Sequence, residues 1–285
     1  DMLPIFDFST VQGLKDYVWP LRADTTTIRP FFRYGYTTSQ RDMPGVVDAD
    51  GNLHLIANIV GFYSNHPDSL SYTYVHEQSK LFHIHTKWDG EWKWEANYID
   101  TLITGVQYVE SGGTGEFGEF TLDHRVHIAK SDDGTKIFAI WTDSQDYGGV
   151  ITENILPDLK AWGHNLSNGY ISDVKNFTTN SPYDGTVLYM NASNIVPFDD
   201  GKYKLPVVYI EPSTSGTPIT EQPVTHVYIQ DAYFTEADMS IWNQPKITKA
   251  NVSQNYPNPF SEITNIDVTI ESPASLSVEV LNIVG

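Results

Sequence analysis

Asp48-Ala49-Asp50-Gly51-Asn52 sets three oxygen-bearing side chains, Asp48, Asp50 and Asn52, at alternate positions of one short acidic stretch. Hard cations such as calcium take oxygen ligands in arrays of this kind. A full twelve-residue calcium loop would close on a bidentate glutamate at position 59, and Ile59 stands there. The pattern therefore admits a shorter calcium turn or a plain hairpin turn. His83 and His85 lie two apart in a β-like run and so share one strand face. With His76, or with His124 and His127, they would form an imidazole set for a transition metal; packed or solvated histidines are the commoner outcome. Glycoside hydrolysis needs two carboxylates about 5–10 Å apart. Glu116, Glu119, Asp123 and Asp143 could serve, but no spacing selects a pair. Trp88, Trp92 and Trp94 could stack on sugars, although core packing is the more frequent fate of such rings. No Gly-x-Ser-x-Gly elbow, His-Glu-x-x-His or phosphate loop occurs. A dispersed Ser-His-Asp triad would leave no local trace.

Composition narrows the function classes. The chain has 285 residues, ample for a core without staples. A net charge of −19 repels phosphate backbones, which argues against nucleic-acid partners. The acids are scattered, as on a solvated surface. With no cysteine, disulfides, thiolate metal sites and a cysteine nucleophile are excluded. No stretch approaches the roughly 18 apolar residues of a membrane span. The opening Asp1-Met2-Leu3-Pro4 has no signal-peptide pattern, so export would require sequence upstream.

The elements that must position these residues read as strands. Asp-Gly recurs five times, at 50–51, 89–90, 133–134, 184–185 and 200–201, between aromatic and β-branched runs. Asp-Gly suits the left-handed positions of hairpin turns. The segments 46–58 and 125–141 look like one repeated unit: apolar strand, acidic turn, apolar strand. Two hairpins per unit predict an all-β, β-propeller-like body of four-stranded antiparallel blades over residues 1–249. A β-sandwich with long hairpins is the alternative. Helix signals are short, at Val11–Trp19 and Thr235–Trp242. Ser111–Gly115 and Glu211–Pro223 read as loops.

From residue 250 the composition changes. Gln254 precedes the run Asn255, Tyr256, Pro257, Asn258, Pro259, Phe260. Two alternating stretches follow, Ile266/Val268/Ile270 and Leu276/Val278/Val280, with Pro273 between them. They predict two paired strands of a small β-sandwich over 250–285, and the prolines enforce an extended entry. This wording resembles the type A C-terminal sorting domain of Bacteroidota type IX secretion substrates. The resemblance covers about the last 35 residues and implies export across the outer membrane, then release or surface attachment, with the type IX machinery as partner. It implies no activity. Such domains carry further strands and a basic tail, so this sorting segment is expected to be truncated here, with the gene product continuing.

The body resembles, more loosely, secreted β-propellers in Ile137–Asp143, Leu156–Leu159 and Lys175–Thr178. Ser131-Asp132-Asp133-Gly134-Thr135 is similar to the Asp-box turn of sialidase-like propellers, with its glycine one residue early. Asp24-Thr25-Thr26, Asp68-Ser69-Leu70 and Asp100-Thr101-Leu102 resemble the sites at which exported Bacteroidota proteins are O-glycosylated, at Thr25, Ser69 and Thr101. The expectation is a secreted or surface-attached binding module, or a subunit of an extracellular assembly. It would contact itself, other surface proteins or glycans; no cofactor is expected, with calcium the alternative. A secreted polysaccharide hydrolase is the alternative.

Overall fold

The computed structural model describes residues 3–7, 10–14, 29–32, 44–63, 73–74, 80–103, 124–145, 156–212, 224–240, 250–252 and 264–270. The fold is all-β, as expected. Residues 1–240 form one compact unit and 241–285 a second.

The first sheet holds β1 (Arg29–Phe32), β2 (Gly45–Val47), β3 (Leu53–Tyr63), β4 (Thr73–Tyr74), β5 (Lys80–Trp88) and β6 (Trp92–Thr101). Strand β3 is eleven residues long and so pairs with β2 through residues 53–55, with β1 through 59–62 and with β4 through 62–63. The second sheet runs β10 (Tyr170–Ile171), β9 (Pro157–Asn165), β8 (Lys136–Ser144), β7 (His127–Ser131) and β13 (Ile195–Val196), with β11 (Lys175–Asn176) also on β9. Among the described strand pairs, only β13–β7 is parallel. Two three-stranded sheets follow: β12 (Leu188–Ala192), β16 (Val207–Pro212) and β17 (Val224–Ile229), then β14 (Phe198–Asp199), β15 (Lys202–Lys204) and β18 (Tyr233–Thr235).

The strand counts differ from uniform four-stranded blades, and no closed ring of sheets is present among the described residues. The first two sheets instead share a core: Ile56, Leu81 and Ile99 pack with Ile137, Ala139, Trp141 and Trp162. The opposite face of the second sheet, through Phe138, Ile140, Leu159 and Ala161, packs on Met190, Val207, Tyr209, Ile229 and Phe234. That is face-to-face stacking in chain order. The second sheet is covered on both faces, which explains why Ile137-Phe-Ala-Ile-Trp141 is a continuous apolar run and not an alternating one. Burying a side chain such as Phe138 or Trp162 stabilises the fold by roughly 1.5–3 kcal/mol.

All five Asp-Gly glycines have positive φ. Only Asp200-Gly201 is a two-residue hairpin with both φ values positive, 51° and 71°, joining β14 to β15. Asp184-Gly185 closes no hairpin; the Gly185 amide donates to Asp158 at 3.0 Å. The two repeated turns touch, the Ala49 amide donating to the Gly134 carbonyl at 3.2 Å. The predicted helix at 235–242 is reduced to a single 3-10 turn, Ala237–Met239. Of 11–19, residues 11–14 are turn and bridge, and the rest lie outside the described residues.

Residues 10–14 cover the outer face of the first sheet. Val11 and Leu14 bury against Ala57, Ile59, Phe82 and Ile84. The Ala96 amide donates to the Gln12 carbonyl at 2.8 Å. Gly13 makes this approach feasible, with φ of 91° and room for no Cβ: one would stand 1.8 Å from the Ala96 carbonyl oxygen. Gly13→Ala is expected to lift the segment and cost about 2–4 kcal/mol, from backbone strain and exposure of two apolar side chains. Hydrogen exchange at Ala96 would report it; unchanged protection there would contradict the packing.

In the second unit, β19 (Ala250–Val252) pairs antiparallel with β20 (Val268–Ile270). Strand β20 falls in the first predicted C-terminal strand, but its partner precedes the Asn255–Phe260 run. The second predicted strand, at 276–280, and residues 255–260 lie outside the described residues.

Candidate metal centre

The inner face of the first sheet carries two cross-strand rows rich in polar side chains. His54, His85 and Glu95 are cross-strand neighbours on β3, β5 and β6, as are Ile56, His83 and Asn97 one step along. The pleat aims His54, His83 and His85 at the second sheet. There β9 contributes Trp162 and His164, also two apart. The His83 ring centroid lies 5.3 Å from Trp162 and 5.4 Å from His164. One ring nitrogen each of His83, His85 and His164 lies within 4.8 Å of the others. His54 stacks on His83 with centroids 5.1 Å apart and planes 4° from parallel. All four histidines are buried, His83 completely.

Hydrogen bonding orders the protons. Asp48 is ionised: burial would raise its pKa, but bonds from Asn52 and His54 outweigh that and hold it below the usual value. A carboxylate only accepts, so His54 Nε2 donates to Asp48 Oδ2 at 3.0 Å. Burial pushes His54 down despite the opposing pull of Asp48. The ring is therefore neutral at pH 7, and its Nδ1 carries a lone pair. His83 Nε2, 2.9 Å away, must donate to it. That leaves the lone pair of His83 on Nδ1, facing Asn97 Nδ2 at 3.5 Å. The same Asn97 nitrogen faces His85 Nε2 at 3.4 Å. Both contacts are long for hydrogen bonds. His164 Nδ1 is buried with no hydrogen-bond partner.

Burial, then repulsion from neighbouring rings, holds His83 well below its ordinary pKa. Burial, chiefly, lowers both His85 and His164 to about 4. All are neutral near pH 7, with lone pairs open to an ion.

The calcium reading fares differently. Asp48 Oδ1 accepts the Asp50 and Asn52 amides at 2.9 and 2.8 Å, and Oδ2 accepts Asn52 Nδ2 at 2.8 Å besides His54. The four acceptor positions of the carboxylate are thus occupied. Asp50 points to solvent. The turn 48–52 serves as a hairpin clasp that orients His54, and Asp48 has no free oxygen for a cation.

The metal partners expected for His83 and His85 are also replaced. His124 lies 3.4 Å from Asp143, away from the cluster. His127, on β7, hydrogen-bonds the backbone at Met190, towards the opposite layer. His76 lies outside the described residues. His54 and His164 were not singled out from sequence. Their signal was position alone, two residues before Ile56 and two after Trp162.

Of the candidate catalytic acids, Glu116, Glu119 and Asp123 lie outside the described residues. Asp143 is fully buried. Its Oδ2 accepts the Ile103 amide at 2.8 Å and Lys160 Nζ at 3.2 Å, and its Oδ1 accepts the Ser144 amide at 3.0 Å. Burial would raise its pKa, but bonds from His124, Lys160 and Ile103 hold it below the carboxylate range. Asp100, 3.8 Å from the same Lys160, is pushed up by burial. The Asp-box-like turn is structural: Asp133 accepts from Ser131 Oγ at 2.5 Å and from the Thr135 amide and hydroxyl at 3.0 and 2.8 Å. Trp88 and Trp92 flank the β5–β6 turn as an edge-to-face pair, 5.3 Å apart, with Trp88 54% exposed. Trp94 instead packs on Phe6 and donates to the Pro4 carbonyl at 2.9 Å. Among the glycosylation candidates, Thr101 is half-buried, its hydroxyl 2.8 Å from the Tyr98 hydroxyl, and Leu102 is a core residue. Thr25 and Ser69 lie outside the described residues.

No helix among the described residues is long and apolar enough to cross a membrane. No family model, curated protein or solved structure matches the chain.

Proposed function

We propose that the chain is a secreted or surface-attached β-rich protein, exported by the type IX route, acting as a binding module or as a subunit of an extracellular assembly. The observation that carries the non-catalytic part is how the body uses its buried carboxylates. Asp48, Asp143 and Asp158 are each fully engaged in tying turns or sheets together. The support for export is the Asn255–Phe260 run. The paired Trp88 and Trp92, standing at a hairpin tip, supply a ring surface that a sugar or a neighbouring protein could stack on.

A second reading, a polysaccharide hydrolase, draws no support from Asp100 and Asp143: they share Lys160, but Asp143 is fully buried and its oxygens are taken by Ile103, Ser144 and Lys160. Light scattering and electron microscopy on native protein from the cell surface and medium test the first reading. Regular polymers or large oligomers are the expected result for an assembly subunit. A monomer that binds glycans without cleaving them fits the module. A monomer that cleaves glycans would replace the proposal with the hydrolase.

A further inference from the structure

We propose that His83, His85 and His164 bind one divalent transition-metal ion of the zinc type between the first two sheets, with Asp48 and His54 holding His83 in the required tautomer. Three observations point to the ion. The first is convergence: three ring nitrogens, two from β5 of one sheet and one from β9 of the other, meet within 4.8 Å. Ligands on zinc at about 2.0–2.1 Å stand some 3.3 Å apart in a tetrahedral site, so small side-chain rotations would complete the approach. The second is unmet bonding. His164 Nδ1 is buried without a partner, and the lone pairs of His83 and His85 share one amide nitrogen at 3.4–3.5 Å. An ion would use all three lone pairs at once, where the core otherwise bears the cost of burying them.

The third is the supporting shell. Metal-bound histidines commonly donate their other N–H to a carboxylate or carbonyl. His83 does so one step removed, through His54 to Asp48. His85 makes the equivalent bond to the Thr86 backbone. Glu95 stands beside the cluster, its Oε2 3.9 Å from His85 Nε2, and its side chain is one-third exposed. It supplies a negative charge beside His85 to offset that of the ion. Imidazole ligands select zinc, copper or nickel over calcium.

The test uses the full chain, freed of metal by chelator and dialysis. Titration with Zn²⁺ by calorimetry is expected to show one tight equivalent per chain. Titration with Co²⁺ should give the strong visible bands of a four-coordinate site, displaced by Zn²⁺, and Ca²⁺ should give neither signal. His85→Phe and His164→Phe each keep the core filled and are expected to abolish the equivalent, with native circular dichroism as the check on folding. Should either variant fail to fold, Asp48→Asn is the second probe. It leaves all three ligands in place and is expected to weaken Zn²⁺ about tenfold or more. Absence of a stoichiometric equivalent in the unaltered chain would overturn the proposal. So would full affinity retained in folded His85→Phe and His164→Phe.

Discussion

Asp158→Ala is expected to cost about 3–5 kcal/mol, enough to unfold much of the body. Asp158 has no solvent exposure, and its two oxygens hold four groups closely, with Gln145 Nε2 a fifth at 3.5 Å. Oδ1 accepts the Thr178 hydroxyl at 2.9 Å and the Gly185 amide at 3.0 Å; Oδ2 accepts Asn176 Nδ2 and the Thr179 hydroxyl, each at 2.9 Å. Burial would raise its pKa, but these bonds hold it below the usual value, so the group is an anion in the fold. Removing it strands several donors beside β9, each at the full desolvation cost. Asp158 thereby fixes β11 and the turn around Asp184-Gly185 to the second sheet. Urea denaturation measures the effect, with the exposed Asp231→Ala as the control expected to stay within about 0.5 kcal/mol. A comparable small loss in Asp158→Ala would mean that its partners find water instead.

Acidification of the metal-free protein should produce the other large effect. His85 and His164 fall from 6.5 to about 4 in the fold, so the unfolded chain binds their protons first. Stability is complete above pH 6.5 and declines as pH falls towards 4. Below that both states are protonated, and the loss from these two groups levels off. At 1.36 kcal/mol per unit, each ring contributes about 3 kcal/mol of loss. His83, also lowered by burial, adds to the decline. The ionised carboxylates Asp48, Asp143 and Asp158 act in a separate window. Their lowered values make stability that is present above 3.8 and lost below it. Across the interval from 6.5 to 4 the histidines lower stability as pH falls, and Asp100, whose pKa burial raises, opposes them. Urea midpoints with chelator present, at intervals from pH 7.5 to 4, should fall steeply across it. His164→Phe should flatten the curve. A midpoint independent of pH in this interval would show the rings to be far more hydrated than their packing indicates.

The two effects differ in how legible they were. Leu156–Leu159 and Lys175–Thr178 stood out in the sequence as propeller-like wording. The structure joins them: Asn176 and Thr178 both donate to Asp158. The strings were visible, but not that one carboxylate links them. The histidine cluster was half visible. The spacing of His83 and His85 placed them on one face correctly, because strand alternation is a local rule. Their partners came from position 54 on β3 and position 164 on β9. Nothing local distinguishes those from His76, His124 or His127.

What the sequence by itself determined is what acts within a few residues. Asp-Gly at five places set five left-handed glycines, since few other residues tolerate that conformation. Aromatic and β-branched runs between them set the all-β class. The apolar stretch 137–141 read as a strand, and only the stacked sheets show it covered on both faces. Tertiary structure alone decided the strand count of each sheet, the stacking of the first sheet on the second, and the role of Asp48. An acidic turn reads as a cation loop until His54 and the turn amides occupy its oxygens. Stacking depends on which faces bury most apolar area together. That is a sum over strands from residue 45 to residue 235, and no window of sequence contains it.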